Sequence, residues 1–309
     1  MGKETLPDHE QISMDREKYS FYFMHKNKYL GDCLTIVYSA TELEAKECGL
    51  TDPNVVIMIK PGQLHDTLIS DRSLDYFDLL SSEEIFDPNI EIPIRVASVC
   101  QLGTLGDSHC NCEEKKVEGL QFIGNHGQGI YIQMPQEAMG QGLLYKAKEL
   151  ELQVSGRDPS GEFVGKKSIK DASDYLLEGH PLDVRKYSLL RKILADLGLN
   201  RFQYSVMTST AKKANQLADE IGVESKSFFR PSDYEITPEN TGAILGKVFY
   251  EDMQLHVPEV ETIMLLLEEN LLPERALSIL QLIVDKFAQN PESTNLDIQR
   301  IEGMIDNIN

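Results

Sequence analysis

Residues 94–112 read IRVASVCQLGTLGDSHCNC, and the rest of the chain is best understood from them outward. A β-branched run suited to a strand ends at Cys100 and gives way to small-residue turns at Gly103, Gly106, Asp107 and Ser108. Beyond the turns stand Cys110 and Cys112, separated by one residue. Three thiolates that can converge, with no obvious fourth, match the needs of a catalytic zinc site: sulfur ligands in a tetrahedron with one corner kept for water. The same residues also have plainer readings. Cysteine is among the most buried residue types, and no CxxC pair supports the CxC. His109 offers a fourth ligand that would make the site structural, although neighbours along a strand point to opposite faces. Cys33 and Cys48 read simply as buried thiols.

Upstream, residues 1–18 form a polar arm. From Tyr19, YSFYFMHKNKYLGDCLTIVYSA carries aromatic and β-branched residues that predict strands. TELEAKECGL predicts a short helix with Thr41 as N-cap and Gly49 as its stop. VVIMIKPG is a buried-strand run ended by Pro61 and Gly62, and SLDYFDLLSSEEIF predicts a helix broken at Pro88. Downstream, EEKKVEGLQFIGNHG has helical spacing at Val117, Leu120 and Ile123. GIYIQMPQE predicts a strand running into a loop, and MGQGLLYKAKELELQ a helix. Residues 154–171 read as a polar insert, either a loop or a small hairpin, and a helix is expected from about Asp183 to Leu197, closed by Gly198. RFQYSVMT, STAKKANQLADEIG and VESKSFF then predict a strand, a helix and a strand, a second α/β unit after the one around the cysteines. From Pro238 the character changes. Residues 257–309 predict three helices, entered near Pro258, Pro273 and Pro291, where proline suits a first turn.

Composition narrows the function. The chain of 309 residues is 41% hydrophobic and 26% charged, ordinary for a globular protein. With 50 acids against 30 bases its net charge is −20, so nucleic acid is not an expected partner. No run approaches a membrane span, and the polar N-terminus lacks a signal-peptide core, so a cytoplasmic protein is expected. Five cysteines, an odd number, argue for reduced thiols rather than a disulfide framework. A GxSxG elbow, a Walker A loop, HExxH and the deaminase HxE with PCxxC are all missing from the sequence, and GNHGQG does not spell GxGxxG.

Three further constellations carry candidate chemistry. In PLDVRKY, Asp183 and Arg185 stand two apart at a helix entry, as a cap and a solvated first-turn residue or as a functional pair. Thr208 to Lys213, TSTAKK, follows a strand and opens a helix, where hydroxyls, backbone N–H groups and a lysine can hold a phosphate; the alternative is an N-cap followed by surface lysines. Glu137, in MPQEAMGQG, ends a strand where its carboxylate could accept two hydrogen bonds from an amidine-like edge such as guanine, or lie exposed.

Taken in order, RVASVC, LGD with CNC, PQEAMGQGL, LDVRKY and TSTAKK resemble GTP cyclohydrolase II. The resemblance covers about residues 95–225, and more weakly VVIMIKPG and the segment from Tyr234 to Gly246. It implies an α/β fold, a mixed sheet with flanking helices, over residues 19–235, with an all-α extension over 236–309. It implies a zinc held by Cys100, Cys110 and Cys112, whose water attacks C8 of guanine in GTP and opens the imidazole ring with release of formate. Asp183 is implied as proton acceptor. Arg185 is implied as the group proposed to attack the α-phosphate, releasing diphosphate with Mg²⁺. Arg95, Ser98, Glu137, Thr208 and Lys213 match ligand-contacting positions, and a homodimer is implied.

The departures point elsewhere within the same chemistry. Val99 stands where the family has glutamate, Lys115 where it has glutamine, Met139 where it has arginine and Leu150 where a tyrosine is expected. The cysteine loop is one residue shorter, and the 154–171 insert is extra. The first ~90 residues show no sign of the butanone-phosphate synthase domain often fused to the family. A retained metal and Asp–Arg pair with altered contacts suggest zinc hydrolysis on another purine nucleotide, or altered handling of GTP, more than a housekeeping enzyme of riboflavin biosynthesis. From a different class, a non-catalytic nucleotide-binding protein with structural zinc is the alternative.

Overall fold

Near-continuous apolar runs such as VVIMIK and GIYIQM call for a sheet covered on both faces, and the computed structural model has one. It describes residues 19–21, 25–62, 79–80, 82–105, 112–167, 169–181, 183–208, 211–221, 228–229, 236–251, 255, 257–288 and 296–308. The strands are β1 (Tyr19–Phe21), β2 (His25–Asn27), β3 (Gly31–Ser39), β4 (Asn54–Lys60), β5 (Pro93–Ser98), β6 (Gly129–Met134), β7 (Ser205–Met207) and β8 (Phe228–Phe229). Their order across the sheet is β1-β3-β4-β6-β5-β7-β8, with β2 paired to β3 beside that path.

β6 is the seam of this mixed sheet. On one side β4 runs antiparallel to it, as β3 does to β4. On the other side β5 runs parallel to β6, and β7 parallel to β5. Parallel neighbours need crossovers: the helix Cys112–His126 lies between β5 and β6, and Ala211–Ile221 lies between β7 and β8, which are also parallel. Ser98 lies opposite Met134 in the ladder, and Ile94 opposite Val206. The carboxyl ends of β5, β6 and β7 therefore open on one edge, where α/β sheets bind their ligands.

The two-residue side-chain period divides the core. Ile94, Val96, Ile130, Ile132 and Met134 face Leu189, Leu190, Ile193 and Leu194 of the helix Ser188–Asp196. Tyr131 and Met207 face the opposite way, toward Leu120 and Ile123 of the helix Cys112–His126. Each fully buried aliphatic side chain adds roughly 1.5–3 kcal/mol. The second helix can lie this close only because Gly124 has no side chain. An added Cβ would occupy the place of the Tyr29 carbonyl oxygen. Helix propensity favours alanine over glycine by about 1 kcal/mol, but backbone cannot yield as a flexible side chain can. Gly124→Ala should therefore lower stability by about 1–3 kcal/mol net, read as a fall in Tm in thermal unfolding.

Most predicted elements are present. Thr41 caps the helix Glu42–Glu47 through a capping box with Glu44, and Gly49 follows it at φ +64°. The insert contains an antiparallel bridge between Arg157 and Phe163, followed by a helix, Ile169–Leu177, that the sequence reading lacks. The predicted 183–197 helix begins only at Ser188; residues 183–187 ahead of it have no regular secondary structure and are tied to neighbours described below. Of SLDYFDLLSSEEIF, residues 79–80 are helical and Glu83–Ile85 forms a 3₁₀ turn, while 73–78 and 81 lie outside the described residues.

The C-terminal stretch is helical, as expected. Pro258 sits in the first turn of Val257–Glu268, and Pro273 caps Glu274–Phe287. The third helix, Ile298–Ile308, starts beyond Pro291, which is outside the described residues. A further helix, Pro238–Glu251, precedes them, and all four share a core including Ile244, Ile263, Ile279, Ile283 and Ile301. Among the described residues no helix is long and apolar enough to cross a membrane.

Candidate active site

Each parallel strand delivers candidate residues to the shared edge. β5 ends at Ser98 and leads through Val99, whose N–H donates to the Met134 carbonyl at 2.9 Å, into Cys100. Cys100 adopts extended backbone (φ −137°, ψ 98°) and caps the helical turn Gln101–Thr104, its Sγ accepting the Gly103 N–H at 3.4 Å. Cys112 opens the 15-residue helix to His126. Both residues present sulfur, the donor type that a soft metal such as zinc prefers. Cys110 and His109 lie outside the described residues, and no group of three metal-ligating side chains is gathered among those described. Cys33 and Cys48 are buried, as their plainer reading expects.

β6 leads into a tight turn. Glu137 is 2% exposed, and its Oε2 accepts the Gln101 N–H at 2.7 Å. That bond fixes the turn on which Cys100 sits. Ala138 (φ 49°) and Met139 (φ 60°) are both left-handed without being glycine, a strain on the order of 1–2 kcal/mol per residue. The strained turn aims the Met139 carbonyl at the Val184 N–H, 3.1 Å away. Gly140 makes the approach possible, since a Cβ there would come within 2.8 Å of Val184 Cγ2.

Residues 183–187 form a strap ahead of the helix Ser188–Asp196, and Asp183 and Arg185 lie on it rather than in the helix. The Arg185 guanidinium donates through Nε to Asp183 Oδ1 at 2.8 Å and through Nη2 to Oδ2 at 2.6 Å, a bidentate pair. The Arg185 N–H also donates to Oδ1, at 3.1 Å. Its Nη1 reaches Ser98 Oγ at a long 3.4 Å, so the strap touches the end of β5. The Arg185 side chain is 12% exposed and that of Asp183 37%. Partial burial alone would raise the Asp183 carboxyl, but the hydrogen bonds and charge of Arg185, with the charge of Lys213, hold it below the usual carboxylate range. Asp183 is therefore an anion at neutral pH.

Lys213 enters from the helix after β7. Its Nζ donates to the Val96 carbonyl at 2.9 Å and lies 5.7 Å from the centre of the Tyr187 ring. Thr208 follows Met207 and is buried at the end of β7. Ser98, Asp183, Arg185 and Lys213 are thus brought together, with Glu137 joining them to the Cys100 turn. Arg95 stands apart from them. It has the opposite strand parity to Ile94 and Val96, lies against Gly119 of the Cys112 helix, and donates from Nη1 to the Met207 carbonyl at 2.9 Å. Beside it Tyr131 is buried, which pushes its hydroxyl up to about 12; the Arg95 charge opposes that rise, and Glu113 and Cys112 add to it.

The sequence reading missed Gln136. It is fully buried, and its Nε2 donates to the Cys48 carbonyl at 2.9 Å and the Lys186 carbonyl at 3.0 Å. Its place just ahead of Glu137 at the end of a buried strand was the available signal.

Comparison with known proteins fits this geometry. The GTP cyclohydrolase II family matches residues 71–226, a range that includes every candidate residue named above. GTP cyclohydrolase-2 of Picrophilus torridus is 30% identical over 135 residues, 43% of this chain and 62% of that protein. GTP cyclohydrolase-2 of Shewanella sediminis is 30% identical over 139 residues, 45% of this chain and 60% of that protein. The riboflavin biosynthesis protein RibBA of Parabacteroides distasonis is 31% identical over 133 residues, 43% of this chain and 29% of that protein. The chain thus spans less than two thirds of each of these relatives, and the helices from Pro238 onward lie outside the family match.

Proposed function

The chain belongs to the GTP cyclohydrolase II family, and from that premise we propose that it is a zinc-dependent hydrolase that opens the imidazole ring of GTP with release of formate. One observation carries the reading. A single turn after β6 ties the Cys100 segment, through Glu137, to the strap bearing Asp183 and Arg185, through Met139.

Cys100, Cys110 and Cys112 would hold the zinc; three sulfur donors are a set that zinc prefers. When bound, zinc supplies a Lewis acid and a water acidified toward neutrality. Asp183, held ionised by Arg185, is ready to accept a proton. Arg185 keeps a fixed guanidinium beside Ser98 and serves as a clamp for α-phosphate charge. A guanidinium is a poor nucleophile, so water would attack the α-phosphorus and diphosphate would leave with Mg²⁺, with arginine as electrostatic partner. Thr208 and Lys213 take the outer phosphates. Glu137 spends one carboxylate oxygen on Gln101 and offers the other to the guanine N–H edge. Arg95 braces the ends of β5 and β7 through Met207. The protein would act in the cytoplasm as a homodimer, on the route to riboflavin or a related use of the opened ring.

A second reading is favoured by Met139. It occupies the family's arginine position with a left-handed backbone bonded to the strap, so no guanidinium reaches a ligand from there. A paralogue acting on another purine nucleotide is the reading this supports. Metal analysis followed by incubation with a panel of purine nucleotides separates the cases. Turnover of GTP with formate release supports the first, and turnover of another nucleotide alone supports the second. Zinc without turnover of any of them overturns both and leaves a nucleotide-binding protein.

A further inference from the structure

We infer that Gln136 is a positioning residue for the proposed reaction: its buried amide sets where Asp183 and Arg185 stand relative to the Cys100 turn. The inference rests on the reading of the site given above.

Gln136 and Glu137 are adjacent, both buried, and reach in opposite directions. Glu137 accepts from Gln101 and so holds the Cys100 turn. Gln136 donates to the Lys186 carbonyl, one residue beyond Arg185, and to the Cys48 carbonyl at the end of the helix Glu42–Glu47. Both partners are carbonyl oxygens, so the amide orientation is fixed; a flipped amide would set oxygen against oxygen. Gln136 Oε1 has no hydrogen-bond partner among the described residues. A buried acceptor left unmade is unfavourable, and this one is tolerated where the two donor bonds hold the strap.

The strap's other ties differ in kind. Val184 to Met139 is a main-chain bond that no side-chain change removes, and Gln141 Nε2 grips the Pro181 carbonyl at the strap's far end. The Lys186 N–H to Cys48 carbonyl contact is long, at 3.5 Å. Near Arg185 the Gln136 amide is therefore a short side-chain tie to the strap's main chain. Without it the strap stays attached at Val184 but can pivot, carrying the Asp183–Arg185 pair with it. A displacement on the order of 1 Å can cost up to ~10²-fold in rate.

Two variants test this. Gln136→Met keeps the bulk and removes both donors. Zinc content should stay the same, kcat on GTP should fall about 10- to 100-fold, and KM should change less than about 3-fold. Amide hydrogen exchange should quicken at Val184, Arg185 and Lys186 while residues 94–98 and 130–134 keep their protection. Gln136→Glu sets a carboxylate against two carbonyls at neutral pH, but the protonated acid regains one donor. Its kcat should recover relative to wild type as pH falls, a profile that a packing role would not produce. Unchanged exchange at 184–186 overturns the inference. So does exchange that rises equally across the sheet, which would make Gln136 a packing residue. If wild type leaves GTP intact while Gln136→Met loosens only the strap, the proposed function fails and the positioning of the strap by Gln136 stands.

Discussion

Cys112→Ser should leave a folded chain without zinc and without turnover. Zinc content is expected to fall from about one per chain to near zero, since a serine hydroxyl stays protonated at neutral pH and is a hard, weak ligand where zinc prefers thiolate. Losing a Lewis acid that stabilises the transition state by several kcal/mol removes at least ~10³-fold in rate. The fold should survive. Cys112 is half-buried at the first position of its helix, where serine is readily accommodated, so thermal unfolding of the metal-free proteins should agree within about 1 kcal/mol. Cys33→Ser is the contrasting case: that thiol is fully buried in the sheet, so the substitution should cost stability and spare the metal. Metal analysis of the two variants side by side checks the assignment. Zinc retained by Cys112→Ser would remove this cysteine from the ligand set.

The second large effect lies on the strap. Asp183→Asn should keep the zinc and lower kcat by about 10²–10⁴-fold, the usual worth of a positioned proton acceptor. Arg185→Ala should be comparably damaging, because it removes the phosphate clamp and releases Asp183 at once. Arg185→Lys tells the roles apart: charge without the planar fork should recover part of the rate if Arg185 is an electrostatic clamp. The pH dependence has a definite sign. The folded-state pKa of Asp183 is lowered, so its contribution to stability is present above the unfolded carboxylate value, about 3.9, and is lost as pH falls through the lower folded value. Wild type should therefore lose stability on acidification below about pH 4 more steeply than Asp183→Asn, as followed by unfolding at successive pH values.

Much of this site is legible in the sequence because strands announce themselves locally. Ile94 and Val96, then Ile130 and Ile132, alternate as the pleat requires, and the residues that follow each strand end must share an edge once the strands are parallel. Arg95 could have been assigned to the far face by the same parity. The strap is different. Asp183 followed by an apolar helical pattern looks locally like a cap, yet bonds with Cys48, Gln136 and Met139 tie this segment down ahead of the helix. Those partners are 45 to 138 positions away in the chain, beyond the reach of any local period. Burial of Glu137 and the left-handed pair Ala138–Met139 were hidden for the same reason, since only the tertiary contacts of the turn demand them. The polar helix Ile169–Leu177 was obscured by its neighbours, a glycine-rich insert on one side and Gly179 with Pro181 on the other.

Formate released against GTP consumed, by the zinc-loaded chain, is the most direct measurement of what this site does. The expected result is formate rising in step with GTP loss and disappearing guanine absorbance, with Asp183→Asn suppressing all three. A zinc-loaded chain that consumes GTP without formate, or leaves GTP and every other purine nucleotide intact, would contradict a ring-opening site.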